Sequence, residues 1–160
     1  MAVSAPPRLQ IRPLEPADLQ VLFTHANRHW GARWLERQAA DEVHVAVAVV
    51  DGLPVGRVGL DLVRRAPDAS FVWAAHVEHD WQSRGVGTAL MRRLEEVTRE
   101  RGLRAIELYV GKDNPRAQAL YERLGYRVVG ETTTRWSYRD ERGQEVVESE
   151  DVWWMRKRLI

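Results

Sequence analysis

Gln82-Ser83-Arg84-Gly85-Val86-Gly87-Thr88 is the stretch whose residue types and spacing could do chemistry most directly. It follows an apolar run ending at Val77 and opens a helix expected to continue to about Arg101. Two glycines two apart leave little bulk over the first amides of that helix, which have no partner within it. Consecutive N–H groups with the helix dipole behind them can hold a large anion such as a pyrophosphate, the dipole adding about 0.3 to 1 kcal/mol at an exposed site. The alternative is close packing, because glycine at a strand-to-helix turn often makes room for a neighbour. Other reactive types are scattered. His25, His29 and Trp30 cluster where a metal or catalytic group competes with simple polar decoration of a helix junction, and Glu150 and Asp151 place adjacent carboxylates near the end of the chain.

The elements that must position these residues can be read in order. Leu9 to Leu14 alternates as a short strand that Pro13 interrupts. Asp18 starts a helix with Leu19, Leu22 and Phe23 on one face, and helical spacing resumes from Trp30 to Ala40 after a break near Asn27 to Gly31. Val43 to Val50, the turn Asp51-Gly52 and Val55 to Val63 form a hairpin. Arg64 to Asp68 reads as a loop, and Ser70 to Val77 as a fourth strand. Alternation puts Phe71, Trp73, Ala75 and Val77 on one face of it and Val72, Ala74 and His76 on the other.

After the glycine turn, Val86, Leu90, Leu94 and Val97 recur at helical spacing until Gly102 stops the helix. Ala105 to Val110 is a fifth strand, and its link to the fourth through a helix predicts a right-handed parallel crossover. Asn114-Pro115 caps a short helix with Ala117, Leu120, Tyr121 and Leu124 on one face and Gly125 at its end. Tyr126 to Tyr138 and Val146 to Leu159 form a closing hairpin. The expected class is therefore α/β with a mixed sheet, in the order β-α-α-β-β-β-α-β-α-β-β.

Length and composition narrow the classes. The 160 residues suit a single domain over residues 1–160, long enough to bury a core without staples. With no cysteine, disulfides, thiolate metal sites and a cysteine nucleophile are excluded. A net charge of +1 from 24 basic and 23 acidic residues gives the whole chain no electrostatic signature for nucleic acid or an anionic membrane. Met1 to Pro7 has no long apolar stretch, and no run approaches the roughly 18 apolar residues of a membrane span. The expectation is a cytoplasmic protein with no nucleic-acid or membrane partner, and the long last strands suggest pairing into a homodimer.

The element order, Val77 followed by Gln82 to Gly87, and Asn114-x2-Ala117-x2-Leu120-Tyr121-x3-Gly125-Tyr126 together resemble the GNAT superfamily of acyl-CoA N-acyltransferases. The likeness covers nearly the whole chain, including an opening pattern of Ile11-Arg12-Pro13-Leu14 with Asp18 and a closing strand of Val152 to Leu159. It implies an acetyl-CoA-dependent N-acetyltransferase with coenzyme A as co-substrate, no metal, and an amine-bearing small molecule or peptide as acceptor. The cofactor residues it implies are Ser83, Arg84, Gly85, Val86, Gly87 and Thr88 for the pyrophosphate, with Gln82 opening the turn. Backbone of Ala75, His76 and Val77 would pair with the pantetheine arm like an added strand. Asn114 would touch the arm, and Tyr121 would face the thioester sulfur.

The implied chemistry has three needs. A backbone N–H near Val77 would polarise the thioester carbonyl as its oxygen gains charge. Tyr121 would protonate the departing thiolate: with a phenol pKa of about 10, against about 8.5 for the thiol, it carries its proton at neutral pH and can donate it. The acceptor amine must lose a proton, being neutral only about once in 2,500 molecules at pH 7 if its pKa is about 10.4.

Relatives often place a carboxylate or histidine on the fourth strand, or a glutamate on the fifth, but here Phe71, Trp73 and Tyr109 stand there. His76 and Glu107 are expected to alternate away from the acceptor face, while Glu78, Glu150 and Asp151 remain candidates. Those aromatics suggest an acceptor with an apolar or ring portion. Two other classes compete: a non-catalytic acyl-CoA-binding or sensor protein of the same fold, and a Rossmann-type nucleotide binder, which the missing third glycine and the flanking hairpins oppose.

Overall fold

The computed structural model describes residues 8–160, so Met1 to Pro7 and the expectation resting on them lie outside the described residues. The elements are β1 (Leu9–Pro13), α1 (Leu19–Leu22), α2 (Arg28–Ala39), β2 (Val43–Val50), β3 (Leu53–Ala66), β4 (Ala69–Val77), α3 (Val86–Glu100), β5 (Ala105–Gly111), α4 (Pro115–Arg123), β6 (Arg127–Arg139) and β7 (Glu145–Arg158), with single 3-10 turns before α1, α2 and α3. They form one seven-stranded sheet in the order β1-β2-β3-β4-β5-β7-β6. Every neighbouring pair is antiparallel except β4 and β5, which α3 joins as the expected parallel crossover.

The sheet is covered on both faces. Ala46, Ala48, Leu60, Ile106, Leu108 and Val110 pack with Val86, Leu90, Leu94 and Val97 of α3, with Tyr121 of α4 and with Leu124 just after it. On the other face Val43, Val45, Val47 and Val49 of β2 meet Leu22, Phe23, Trp30 and Trp34 from the first two helices. This explains why β2 is valine and alanine at every position but His44: a strand buried on both sides has no polar face.

Near the N-terminus, Asp18 is 2% exposed and is held by Arg12 through two bonds of 2.7 and 2.8 Å and by the Glu15 amide. That pair anchors β1 to the start of α1.

Three local features differ from the sequence expectation. β3 runs on to Ala66 where a loop was expected after Val63. The helix break falls at Phe23 to Asn27, and Gly31 lies inside α2. Gly31 serves as a contact, because a Cβ there would come within 2.9 Å of Phe23 Cε2 and still closer to Leu19. The third difference is a bulge in β4. Arg57 pairs with His76 and Gly59 with Trp73, so Val58 alone opposes both Ala74 and Ala75. Ala74 takes φ 53, the left-handed region that costs a residue with a Cβ about 1–2 kcal/mol.

The bulge reverses the alternation beyond Trp73. Val77 packs with the core that contains Val72, rather than sharing a face with Trp73. His76, opposite Arg57, shares its face, and Arg57 stacks on Phe23 and Trp34. His76 is therefore on the face it was expected to avoid. Glu107 also lies on that face, two residues before Tyr109 and beside Phe71 in the parallel register.

Candidate active site

The parallel ladder between β4 and β5 covers only Ala69 to Val72 and Ala105 to Leu108. Beyond it the strands part. A cavity of about 450 Å³ occupies the opening, bordered by Ala75, His76 and Val77 on one side, by Asn114, Ala117 and Tyr121 of the α4 segment on the other, and by the glycine turn at its end.

At that turn Ser83 has φ 59 and Gly85 φ 82, and the first amide bonded back into α3 is that of Ala89, to the Gly85 carbonyl at 3.0 Å. The amides of residues 86–88 precede it as helix-start donors. Gly85 is explained by its backbone angle, and a Cβ on it would meet nothing within 4 Å. On Gly87 a Cβ would be 3.4 Å from Leu120 Cδ2, an ordinary contact. Neither glycine is required by packing, which removes the main alternative to an open approach for a ligand.

Other side chains complete this end. Gln82 Nε2 donates to the Val77 carbonyl at 3.0 Å, tying the turn to the end of β4. Arg116, the second residue of α4, donates to Ser83 Oγ and sits 3.5 Å from Gln82 Oε1, bringing a guanidinium beside the helix start. Sequence reasoning missed Arg116. Its only signal was its position two residues after Asn114, in the first turn of α4. Arg84 stacks on Trp81 at 5.1 Å, and Val86 is buried in the core, so neither side chain lines the cavity. Thr88 does line it, and Asn114 lines it while its Oδ1 caps α4 by accepting from the Ala117 amide at 3.2 Å.

A second cavity of about 980 Å³ opens on the side of α1 and α2 and is floored by Phe71, Trp73 and Tyr109. Trp34 contacts Phe23 and Trp73 edge-on at centroid distances of 5.0 and 4.8 Å. Gly59 makes room for the Trp73 indole, since a Cβ there would lie 2.5 Å from the ring. Arg57 projects into the same region, its Nη1 donating to the Ala74 carbonyl at 2.7 Å and thereby bracing the bulge. Burial pushes the Arg57 pKa down, against a weaker pull upward from Glu78. A guanidinium stays charged even so.

The two cavities share Arg57, Ala75, Asn114, Ala117 and Tyr121 along their borders. Tyr121 stands at that junction, 9% exposed and edge-on to Tyr126 at 6.0 Å. Burial raises its phenol above the ordinary value, so the hydroxyl carries its proton at neutral pH.

Among carboxylates, Glu107 accepts from Trp154 Nε1 at 2.8 Å and Arg156 Nη1 at 2.6 Å, which occupies both of its oxygens. Glu78 lies 3.6 Å from His76 Nε2. Asp151 accepts from Thr133. Glu150 borders the larger cavity, folded over Gly111 beside Asp113. Burial first, then the charge and hydrogen bond of Asp113, raise its pKa above the usual carboxylate value.

His25 lies 3.1 Å from Arg28 and His29 packs on Trp30. No group of three or more His, Cys, Asp or Glu among the described residues stands together as a metal site. No helix of the described residues is long and apolar enough to cross a membrane.

A mixed sheet opened between two parallel strands, with a helix start facing the opening, is a fold found in other solved proteins. Solved N-acetyltransferases share it. The N-acetyltransferase from Staphylococcus aureus Mu50 superimposes with a TM-score of 0.75 at 15% identity over 96% of this chain and 99% of its own. One from Thermoplasma acidophilum, solved in complex with coenzyme A, does so at 0.74, with 15% identity over 94% and 99%.

The chain belongs to the Acetyltransferase (GNAT) family, whose model matches residues 10–126. Among curated relatives, an uncharacterized N-acetyltransferase of Methanocaldococcus jannaschii is 35% identical over 103 residues, 61% of this chain and 44% of the relative. The L-2,4-diaminobutyric acid acetyltransferase of Nocardia farcinica is 37% identical over 81 residues, 51% of this chain and 42% of the relative. The L-amino acid N-acetyltransferase of Escherichia coli is 34% identical over 111 residues, 66% of this chain and 65% of the relative. The chain thus spans less than half the length of the first two.

Proposed function

We propose that this protein is an acetyl-CoA-dependent N-acetyltransferase whose acceptor is an amine entering from the α1–α2 side. The observation that carries the reading is the meeting of two cavities at Tyr121, one running to the helix-start amides and the other into an aromatic cleft. Catalysis of transfer between two substrates needs both held with reacting atoms in contact, and a shared border at one acid is such an arrangement.

The residues present suit coenzyme A. Amides at the start of α3 and the Arg116 guanidinium match the charge of a pyrophosphate. The unpaired edges of β4 and β5 suit an extended amide-bearing arm, which would pair beside Ala75 to Val77 as added strand. When bound, the cofactor supplies an activated acetyl thioester.

The chain's own groups then have distinct tasks. The Ala74 bulge, braced by Arg57, turns β4 amides out of the ladder, where one can face the acyl oxygen as it gains charge. Tyr121 holds the proton that the departing sulfur needs. Glu150 takes up the acceptor's proton through water, and its raised pKa brings it nearer the working pH of a base.

Mixing the protein with acetyl-CoA and a panel of amines, and following free thiol, tests this. Amine-dependent thiol release that falls about 100-fold in Tyr121→Phe supports transfer with Tyr121 as acid. Tight coenzyme A binding with no turnover across the panel would instead mark a sensor of the same fold.

A further inference from the structure

Arg57, on β3, stands on the border of the acceptor cleft. Its guanidinium is half-buried between the rings of Phe23 and Trp34, at 5.0 and 5.2 Å, and it borders both cavities. A guanidinium has five N–H donors, and the hydrogen bond given to it by the described residues goes to the Ala74 carbonyl. Its Nε is buried with no partner. No carboxylate among the described residues lies within ion-pair distance of it, and Glu78 acts on it only from farther away. Other buried charges here are paired: Asp18 with Arg12, Glu95 with Lys157, and Glu107 with Arg156. Removing a charge from water is costly unless a partner repays it, and the two ring faces repay only part. A planar fork with donors left over matches a carboxylate in bidentate geometry.

Position sets how far that carboxylate can be from the nucleophile. Arg57 shares the junction with Tyr121, so a group seated on it is already at the point where the acyl group would be transferred. The amine must then be within a bond or two of the carboxylate. The remainder of the molecule extends into the cleft walled by Phe71, Trp73 and Trp34, which favours an aromatic or bulky apolar substituent. A polyamine would bring positive charge against Arg57 and leave its donors unpaired.

We propose that the acceptor is a free α-amino acid with an aromatic or large apolar side chain, its carboxylate received by the Arg57 guanidinium and its α-amine presented toward Tyr121. This rests on the acetyltransferase reading and deepens it. In the transfer the α-nitrogen forms a bond to the acetyl carbon as the carbon–sulfur bond breaks. The nitrogen's proton leaves to water or Glu150, and the thiolate gains one from Tyr121.

The test compares L-phenylalanine with 2-phenylethylamine, the same molecule without the carboxylate, in the protein and in Arg57→Met and Arg57→Lys. Thiol release gives kcat/KM for each acceptor, and calorimetry gives phenylalanine binding in the presence of coenzyme A. The wild type should favour phenylalanine by about 100-fold, and Arg57→Met should abolish that preference, with Arg57→Lys between them. Equal use of both acceptors by the wild type overturns the proposal. So does an Arg57→Met variant that slows both in the same proportion, which would leave Arg57 as a brace for the bulge alone. A cooperative thermal unfolding transition in each variant shows that it is folded. If no acceptor turns over, phenylalanine binding that Arg57→Met removes still upholds the carboxylate seat and rejects the transfer reading, whereas no binding rejects the seat.

Discussion

Replacing Gly111 by alanine probes how the Glu150 carboxylate is seated. Gly111 ends β5 opposite Val152, and the Lys112 amide bonds to the Asp151 carbonyl at 2.9 Å, so the backbone on both sides is fixed. A Cβ on Gly111 would lie 2.8 Å from Glu150 Cδ, nearer still to its Oε1, and 2.7 Å from Asp113 Oδ1. Glu150 has to swing away. Inserting a methyl against a packed neighbour costs about 1–3 kcal/mol.

Gly111 has no left-handed backbone angle, so alanine by itself should return about 0.4–1 kcal/mol by restricting the unfolded chain. The single variant therefore mixes two opposed effects, and the informative quantity is the coupling to Glu150→Ala. Gly111→Ala should be destabilising in the native background and clearly less so when Glu150 is alanine, where only the approach to Asp113 Oδ1 remains, a coupling of about 1–2 kcal/mol. Urea unfolding of the four proteins at constant m measures it. The same variant should lower kcat/KM for the acceptor, because the displaced carboxylate leaves its place in the cleft. A cycle that closes within about 0.5 kcal/mol, with Gly111→Ala stabilising in both backgrounds, refutes the placement of Glu150 over Gly111.

Two further substitutions test the frame that holds the site. Asp18→Asn leaves Arg12 without its buried partner and should cost about 3–5 kcal/mol, read as a fall in Tm of roughly 10 °C. Burial alone would raise the Asp18 pKa, but hydrogen bonds from Arg12 and Glu15 and the Arg12 charge bring it below the ordinary 3.8. Its contribution is therefore present above that pH and lost as pH falls through the lowered value, so the gap between variant and wild type should shrink in acid. Gly31→Ala should destabilise although alanine is the better helix former by about 1 kcal/mol, because its Cβ would meet Phe23 and Leu19. Thermal unfolding checks it, and a rise in Tm would mean that α1 does not pack as described.

Much of the frame is legible because hydrophobic period and turn chemistry agree. The element order, the parallel crossover, the closing hairpin and the cap at Asn114 all follow from local signals, and the structure carries them. The bulge at Ala74 is not legible. It uses an alanine at positive φ with no glycine or asparagine to announce it, and one extra residue reverses every side chain that follows. That is why His76 and Val77 exchange faces relative to the expectation.

Glu107 was misplaced for a simpler reason: two residues from Tyr109 means the same face, and what removes it from the chemistry is Arg156 and Trp154, not its direction. Gly31 reads as a helix breaker in sequence and acts as a contact in the fold, since only the neighbouring helix shows what its missing side chain admits. Arg57 and Arg116 reach the site across strands and between helices, through contacts that no local spacing encodes.

The opening between β4 and β5 should receive the cofactor arm with its pyrophosphate at the start of α3. A crystal structure of the protein grown with coenzyme A tests it most directly. Pyrophosphate density is expected over the amides of residues 85–88 beside Arg116, with the arm running along Ala75 to Val77 and the sulfur next to Tyr121. Coenzyme A bound elsewhere, or crystals with the opening free of it at saturating concentration, would show that this opening is not the cofactor site.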